Sequence, residues 1–130
     1  MRFHFCAAFY VLIFMHFFDL TGGEKAAVCI VIALVISLEL INTAIEALTD
    51  MVSPQRSKLA RIAKDCAAGA VLFSAIGAVG VALCVFDDRH GYIRIFEFFR
   101  DKPLMLIPLA ASAVCWVLFI FGIRKETKND

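Results

Sequence analysis

The chain has 130 residues, which favours a single domain, and hydrophobic residues make up 62% of it. Soluble domains contain roughly 45–50% apolar residues, so the composition argues against a water-soluble globular protein and for one that crosses a membrane. The formal net charge of +1 argues against nucleic acid as a partner. The five cysteines lack C-x-x-C spacing, so neither a metal site nor a disulfide is predicted from them.

The first half of the chain predicts two membrane helices. Met1–Phe18 is the first, and it is followed by a glycine-containing turn, Asp19–Lys25. Ala26–Thr49 is the second, with no charge before Glu39. At about 1.5 Å per residue these helices are about 27 and 36 Å long, compared with a hydrocarbon core of about 30 Å.

The second half predicts two more apolar helices. After a turn at 51–58 that contains Ser53 and Pro54, Leu59–Phe86 is predicted as a long helix with small residues at close-packing spacing. Asp87–Lys102 is polar, but Ile93, Phe96 and Phe99, with Phe98 nearby, could form one apolar face of a short interfacial helix. Pro103–Ile123 is the fourth span, with Pro103 in its first turn and a possible kink at Pro108, and Arg124–Asp130 is a hydrophilic tail.

Basic residues predict the orientation of these spans. Four spans place both termini and the loop at 51–58 on the same side of the membrane. The basic residues of that side are Arg2, Arg56, Lys58, Arg61, Lys64, Arg124, Lys125 and Lys128. The opposite side has fewer, with Lys25 in its first loop and Arg89, Arg94, Arg100 and Lys102 in its second. Since cytoplasmic loops are enriched in Lys and Arg, this side is predicted to be cytoplasmic.

The second helix carries a polar stripe, defined here as five side chains that fall within an arc of roughly 100° on the helical wheel. They are Glu39, Asn42, Thr43, Glu46 and Asp50. Measured from Ala26, Glu39 lies about 20 Å and Glu46 about 30 Å along the axis, so Glu39 is inside the bilayer and Glu46 near its boundary.

Carboxylates in a bilayer cost about 2.5–3.5 kcal/mol each, so the polar stripe requires compensation. A divalent cation, the basic residues of the next helix or protonation would each supply it. The cation is the most specific choice, because Mg²⁺ binds carboxylates together with substrate phosphates. Glu46 and Asn42 would bind it, Lys64 would neutralise phosphate, and Glu39 would act as general base on a lipid hydroxyl. Neither a P-loop nor a kinase glycine-rich loop is present.

Simpler explanations exist for the same residues. The polar stripe could form an ion or proton path, or bind a partner helix in a small non-enzymatic membrane bundle. Lys58, Arg61 and Lys64 could be topology anchors, and Asp65 could pair with Arg61.

Two motifs resemble the prokaryotic diacylglycerol kinase / undecaprenol kinase family, and the resemblance covers residues 1–86. The motifs are Glu39-x-x-Asn42-Thr43-Ala44-Ile45-Glu46-x-x-x-Asp50 and Ala63-Lys64-Asp65-x-Ala67-Ala68-Gly69-Ala70-Val71. The segments Val52-Ser53-Pro54 and Leu59-Ala60-Arg61-Ile62 are more similar to the undecaprenol kinase branch.

The resemblance implies an all-α integral membrane helical bundle of three family-type spans, here with a fourth, C-terminal span. It implies a homotrimer in the bacterial inner membrane, with active sites between subunits at the cytoplasmic surface. ATP and Mg²⁺ would be used to phosphorylate undecaprenol, or alternatively diacylglycerol, for cell-envelope and phospholipid synthesis. Glu39 would be the catalytic base and would bind the lipid with Thr43. Asn42 and Glu46 would bind metal, and the nucleotide would contact Glu46, Asp50, Lys64 and Asp65.

The sequence departs from the family in two places. The family begins with an amphipathic surface helix that supplies a further metal-binding glutamate, and Met1 falls where that helix has already ended. We therefore expect a longer natural product. Residues 87–130 add a loop, the fourth span and a cytoplasmic tail, so the expected organisation is a kinase domain at 1–86 and an extension at 87–130.

Overall fold

The computed structural model describes residues 2–52 and 57–122, and these ranges contain helices and no strand. The all-α prediction is confirmed. The five α-helices are α1 (Arg2–Phe14), α2 (Gly22–Val52), α3 (Lys58–Val85), α4 (Arg89–Asp101) and α5 (Leu106–Gly122), with 3₁₀ turns at Met15–Phe17 and Pro103–Met105. The predicted breaker Ser53-Pro54 and the predicted tail lie outside the described residues.

Capping residues set the helix boundaries. Thr21 and Glu24 form a reciprocal capping box, in which the Thr21 amide donates to Glu24 Oε2 (2.7 Å) and the Glu24 amide donates to Thr21 Oγ1 (3.3 Å). This box starts α2 within the predicted turn, so α2 is longer than the predicted Ala26–Thr49. Ser57 caps α3 by accepting from the Ala60 amide (3.0 Å), and α3 matches its prediction within one residue at each end.

The chain forms two compact units. The α2–α3 hairpin comprises residues 20–87, and the α1–α4–α5 unit comprises Arg2–Asp19 with the chain from Asp88 onward. Among the described side chains, the buried apolar ones are Val28 and Val35 of α2 and Ala67 of α3 in the hairpin, and Phe18 in the other unit. Most other apolar side chains in the described ranges are exposed, as expected where lipid is the solvent.

Within residues 2–52 and 57–122, two helices are long and apolar enough to cross a membrane, α2 and α3. α1 is shorter than its predicted span, because its α-helix ends at Phe14 in a 3₁₀ turn. α4 and the segment Pro103–Phe119 form a bent pair with an angle of 103°, which would make a third span if counted together. Pro108 lies in the first turn of α5, where a missing N–H is tolerated, so it does not explain the bend. The first and fourth spans remain predictions.

In the α1–α4–α5 unit, α4 begins beside the end of α1. Asp88 caps α4 by accepting from the His90 amide (2.9 Å). Arg94 pairs with Asp19 and, at 3.4 Å, with Asp88. The Phe18 ring packs edge-on against Tyr92, with centroids 5.2 Å apart, and covers Gly91. These contacts anchor the C-terminal segment to the first helix.

Candidate active site

The polar stripe continues the face of α2 that packs on α3. Val28 and Val35 are buried and lie seven residues apart, and Asn42 follows Val35 by a further seven residues. Seven residues are close to two helical turns, so all three share one face. The buried end of this face is apolar and its other end is polar. The polar stripe therefore faces α3.

The most specific contact in the polar stripe joins Asn42 and Glu46. Asn42 Nδ2 donates to Glu46 Oε1 at 2.8 Å, as expected for side chains four residues apart on a helix. Asn42 Oδ1 is buried and has no hydrogen-bond partner among the residues that the structure describes. A buried carbonyl oxygen without a partner costs about 1–3 kcal/mol, so this position favours a ligand that an oxygen can bind.

Glu39 and Thr43 lie one turn deeper along α2. The Thr43 hydroxyl donates to the backbone oxygen of Glu39 at 3.0 Å, and the Glu39 side chain is half-buried. Thr43 is exposed, and its hydroxyl oxygen keeps a lone pair with which to accept. The predicted lipid-side residues are therefore adjacent, and Glu39 is less solvated than the exposed Glu46.

At the outer end of the polar stripe, Asp50 and Lys64 form an ion pair between α2 and α3. The side chains are 69% and 34% exposed, respectively, so water screens the pair. The structure thus brings together two of the predicted nucleotide-binding residues. It also shows that Lys64 has a carboxylate partner that phosphate would have to replace.

Asp65 does not join this group. It follows Lys64 by one residue, a rotation of about 100° around α3, and it lies two residues before Ala67. Ala67 is buried against α2, whereas Asp65 is exposed on the far side of α3. A single chain therefore assembles the polar stripe and Lys64, but not Asp65.

Small side chains of α3 lie opposite the polar stripe, on the helix predicted to have small residues at close-packing spacing. From the Asp50–Lys64 pair, four residues back along α2 correspond to about four residues forward along the antiparallel α3. This register places Glu46 at the level of Ala67 and Ala68. Ala67 is buried and Ala68 is exposed, so small side chains of α3 lie at the level of the exposed Glu46.

Within the two described ranges, no three His, Cys, Asp or Glu side chains gather as a ready-made metal site. The Asn42–Glu46 pair nevertheless fits Mg²⁺. Mg²⁺ commonly takes one or two protein oxygens and completes its shell with water and phosphate. The partnerless Asn42 Oδ1 and the exposed Glu46 carboxylate are such oxygens.

Residues 1–86 match the prokaryotic diacylglycerol kinase family, and this range includes every predicted site residue. The chain belongs to this family. The resemblance inferred from the two motifs is thereby confirmed. The residues that follow position 86 lie outside the match to the prokaryotic diacylglycerol kinase family.

Two relatives of the chain are named as lipid kinases. A diacylglycerol kinase of Synechocystis sp. is 51% identical over 61 residues, which is 46% of this chain and 35% of the relative. An undecaprenol kinase of Bacillus subtilis is 39% identical over 85 residues, which is 65% of this chain and 69% of the relative. The alignment thus spans about a third of the Synechocystis protein. No solved structure matches the chain.

Proposed function

We propose that the protein transfers the γ-phosphate of ATP to the hydroxyl group of a membrane lipid, giving a lipid phosphate and ADP. The observation that carries this proposal is the Asn42–Glu46 pair, whose oxygens suit a phosphate-bound cation on a helix that also carries a deeper glutamate. Membership of a family named for a lipid kinase supports it over a non-enzymatic bundle.

Each residue of the polar stripe has a role that follows from its depth. Glu39 accepts the proton of the lipid hydroxyl, whose oxygen then attacks the γ-phosphorus as the bond to the ADP oxygen breaks. Thr43 orients that hydroxyl from the next turn. Asn42 and Glu46 would hold Mg²⁺, which when bound neutralises the charge on the ATP phosphates. Lys64 exchanges Asp50 for the phosphates, and Asp50 then contacts the nucleoside.

The position of Asp65 supports an oligomeric site. Because Asp65 faces away from the polar stripe of its own chain, it would reach nucleotide bound at a neighbouring copy. We propose a homotrimer on this ground and on the ground of the family resemblance. The site would face the cytoplasm of a bacterial inner membrane, the side with more basic residues.

Undecaprenol is the preferred acceptor, since the longer alignment is with an undecaprenol kinase. Diacylglycerol is the second candidate, because the relative with the higher identity is a diacylglycerol kinase. Residues 1–86 would form the kinase domain, and residues 87–130 would be an added membrane anchor.

The test is a transfer assay on purified protein in lipid, with ATP, Mg²⁺ and either undecaprenol or diacylglycerol. Glu39→Gln should lower turnover by about 10²–10⁴-fold, the usual contribution of a general base. Glu46→Gln should abolish Mg²⁺-dependent transfer. Glu24→Gln is the matched control, because glutamine also completes a capping box and turnover should be unchanged. Folded wild-type protein that transfers phosphate to neither lipid would refute the proposal.

A further inference from the structure

An apolar pocket lies inside the α1–α4–α5 unit, which the proposed function does not use. Its volume is about 330 Å³, within the range of about 300–1,000 Å³ typical of small-molecule sites. The wall is largely aromatic and includes Phe9, Phe14, Phe17, Phe98 and Phe99. A hydrocarbon chain suits such a lining.

Ser112 is the one polar side chain of the wall, and its hydrogen bonds are already made within the protein. Its hydroxyl lies 2.9 Å from the Tyr10 hydroxyl and donates to the Leu109 backbone oxygen at 2.8 Å. The interior therefore offers contact with methylene groups rather than recognition of a polar head.

The ammonium group of Lys102 lies at the edge of this pocket. Lys102 Nζ lies 5.4 Å from the centroid of the Phe98 ring, which is part of the wall. Two arginines of α4 have carboxylate partners: Arg94 pairs with Asp19 and Asp88, and Arg100 Nε lies 3.5 Å from Asp101. Arg89 lies at the opposite end of α4 from the pocket. Within the described residues Lys102 has no carboxylate partner, so its charge is available to a ligand.

The bend between α4 and Pro103–Phe119 would place Lys102 at the depth of the lipid headgroups. α4 exposes Tyr92, Ile93 and Phe96 and has a polar opposite face, which is typical of a helix lying in the membrane interface. At 103° to α4, the following segment would then enter the bilayer. Lys102 lies at the break, where lipid headgroups are found.

We propose that this bend binds an anionic phospholipid of the bilayer, with one hydrocarbon chain in the aromatic pocket and the acidic headgroup at Lys102. The positive charge of Lys102, next to Phe98 of an apolar pocket wall, selects an acidic amphiphile over a neutral one. The inference concerns the C-terminal unit alone and does not depend on kinase activity.

Trp116 is the sole tryptophan and provides the readout. Its ring centroid lies 6.3 Å from that of Phe9, a residue of the pocket wall. The full chain is reconstituted in phosphatidylcholine bilayers that contain bromine-labelled phosphatidylglycerol or bromine-labelled phosphatidylcholine, and quenching of Trp116 fluorescence is compared. We expect quenching to report about a fivefold preference for phosphatidylglycerol, the effect of one lysine near a membrane surface.

Variants distinguish binding at the proposed site from nonspecific attraction of anionic lipid to the protein's basic residues. Lys102→Gln should remove the preference, Lys102→Arg should keep it, and Lys25→Gln should keep it because Lys25 belongs to the other unit. Leu109→Phe, which fills the pocket, should reduce quenching by brominated phosphatidylglycerol. Equal quenching by both lipids in wild type, or equal loss in the Lys25 and Lys102 variants, would overturn the proposal. The proposal would also be overturned if diacylglycerol or undecaprenol displaced the brominated phosphatidylglycerol as efficiently as unlabelled phosphatidylglycerol does.

Discussion

The side-chain amide of Asn42 has two ends with different surroundings. Its nitrogen holds the Glu46 carboxylate in place, while its oxygen is buried without a partner. We propose that this oxygen binds a ligand, because an amide that served only helix association would be expected to use both of its ends.

Asn42→Leu tests this distinction. It removes the partnerless oxygen, so the free energy of unfolding should stay the same or increase slightly. The Mg²⁺ concentration for half-maximal activity should rise by at least about 10–100-fold, since losing a residue that only supports a metal ligand already costs that much. A Mg²⁺ titration of lipid phosphorylation measures it. Thr49→Val is the control, because the Thr49 hydroxyl only donates to backbone oxygens of its own helix. An unchanged Mg²⁺ requirement in Asn42→Leu would contradict the metal assignment.

The Asp50–Lys64 pair is tested by exchanging its partners. The double substitution Asp50→Lys with Lys64→Asp restores an ion pair between the helices, so thermal stability should stay within about 1 kcal/mol of wild type. Activity should remain low, because the phosphate-binding cation is then on the wrong helix. Stability from thermal unfolding and turnover from the transfer assay are compared. Recovery of turnover in the exchanged protein would show that the pair is only a structural link.

Among the elements, α3 was the most predictable from sequence, since its apolar run has a serine cap before it and a polar segment after it. The start of α2 was predicted too late, because the Thr21–Glu24 capping box lies within a glycine-containing segment that reads as a turn. The five members of the polar stripe could be found from helical periodicity alone. Their direction toward α3 depended on burial at Val28 and Val35, which apolar composition does not reveal.

The docking of α4 on α1 could not be predicted, because it depends on residues far apart in sequence. Gly91 meets Phe18, and Arg94 meets Asp19, across more than seventy intervening residues. Nothing in either segment alone indicates this pairing.

Gly91→Ala tests the docking contact. A Cβ at Gly91 would overlap the Phe18 ring, so the substitution should destabilise the α1–α4–α5 unit by about 1–3 kcal/mol. Gly23→Ala is the matched control, since its Cβ meets open space, and it should be neutral or stabilising by up to about 1 kcal/mol. Unfolding in detergent measures both. In a Phe18→Leu background the penalty at Gly91 should shrink. An undiminished penalty in that background would locate the strain elsewhere.

At the scale of the whole molecule, the compact units and the family match divide the chain differently. The family match ends at residue 86, but α1 forms its unit with α4 and α5. The segment beyond the family match is thus packed on a helix that lies within it. Residues 87–130 are therefore proposed as an anchor for α1.

The orientation of the molecule can be tested at the two ends of α2. In protein whose five cysteines are replaced by alanine, Ser57→Cys should react with a membrane-impermeant maleimide in inverted vesicles but not in intact cells. Lys25→Cys should show the opposite pattern. Labelling of both positions from the same side would exclude a membrane-spanning α2, and the reversed pattern would place the active site outside the cytoplasm.

Few apolar side chains are buried within the chain: in the described ranges they are Phe18, Val28, Val35 and Ala67. Most other apolar side chains of α2 and α3 are exposed, and in a membrane they would contact lipid tails, which do not distinguish one aliphatic shape from another. Many positions of α2 and α3 can therefore exchange Leu, Ile, Val and Phe without penalty. Over evolutionary time the apolar sequence is then free to drift. The polar stripe, together with Lys64 that pairs with Asp50, is then the part of such a protein by which distant descendants can still be recognised.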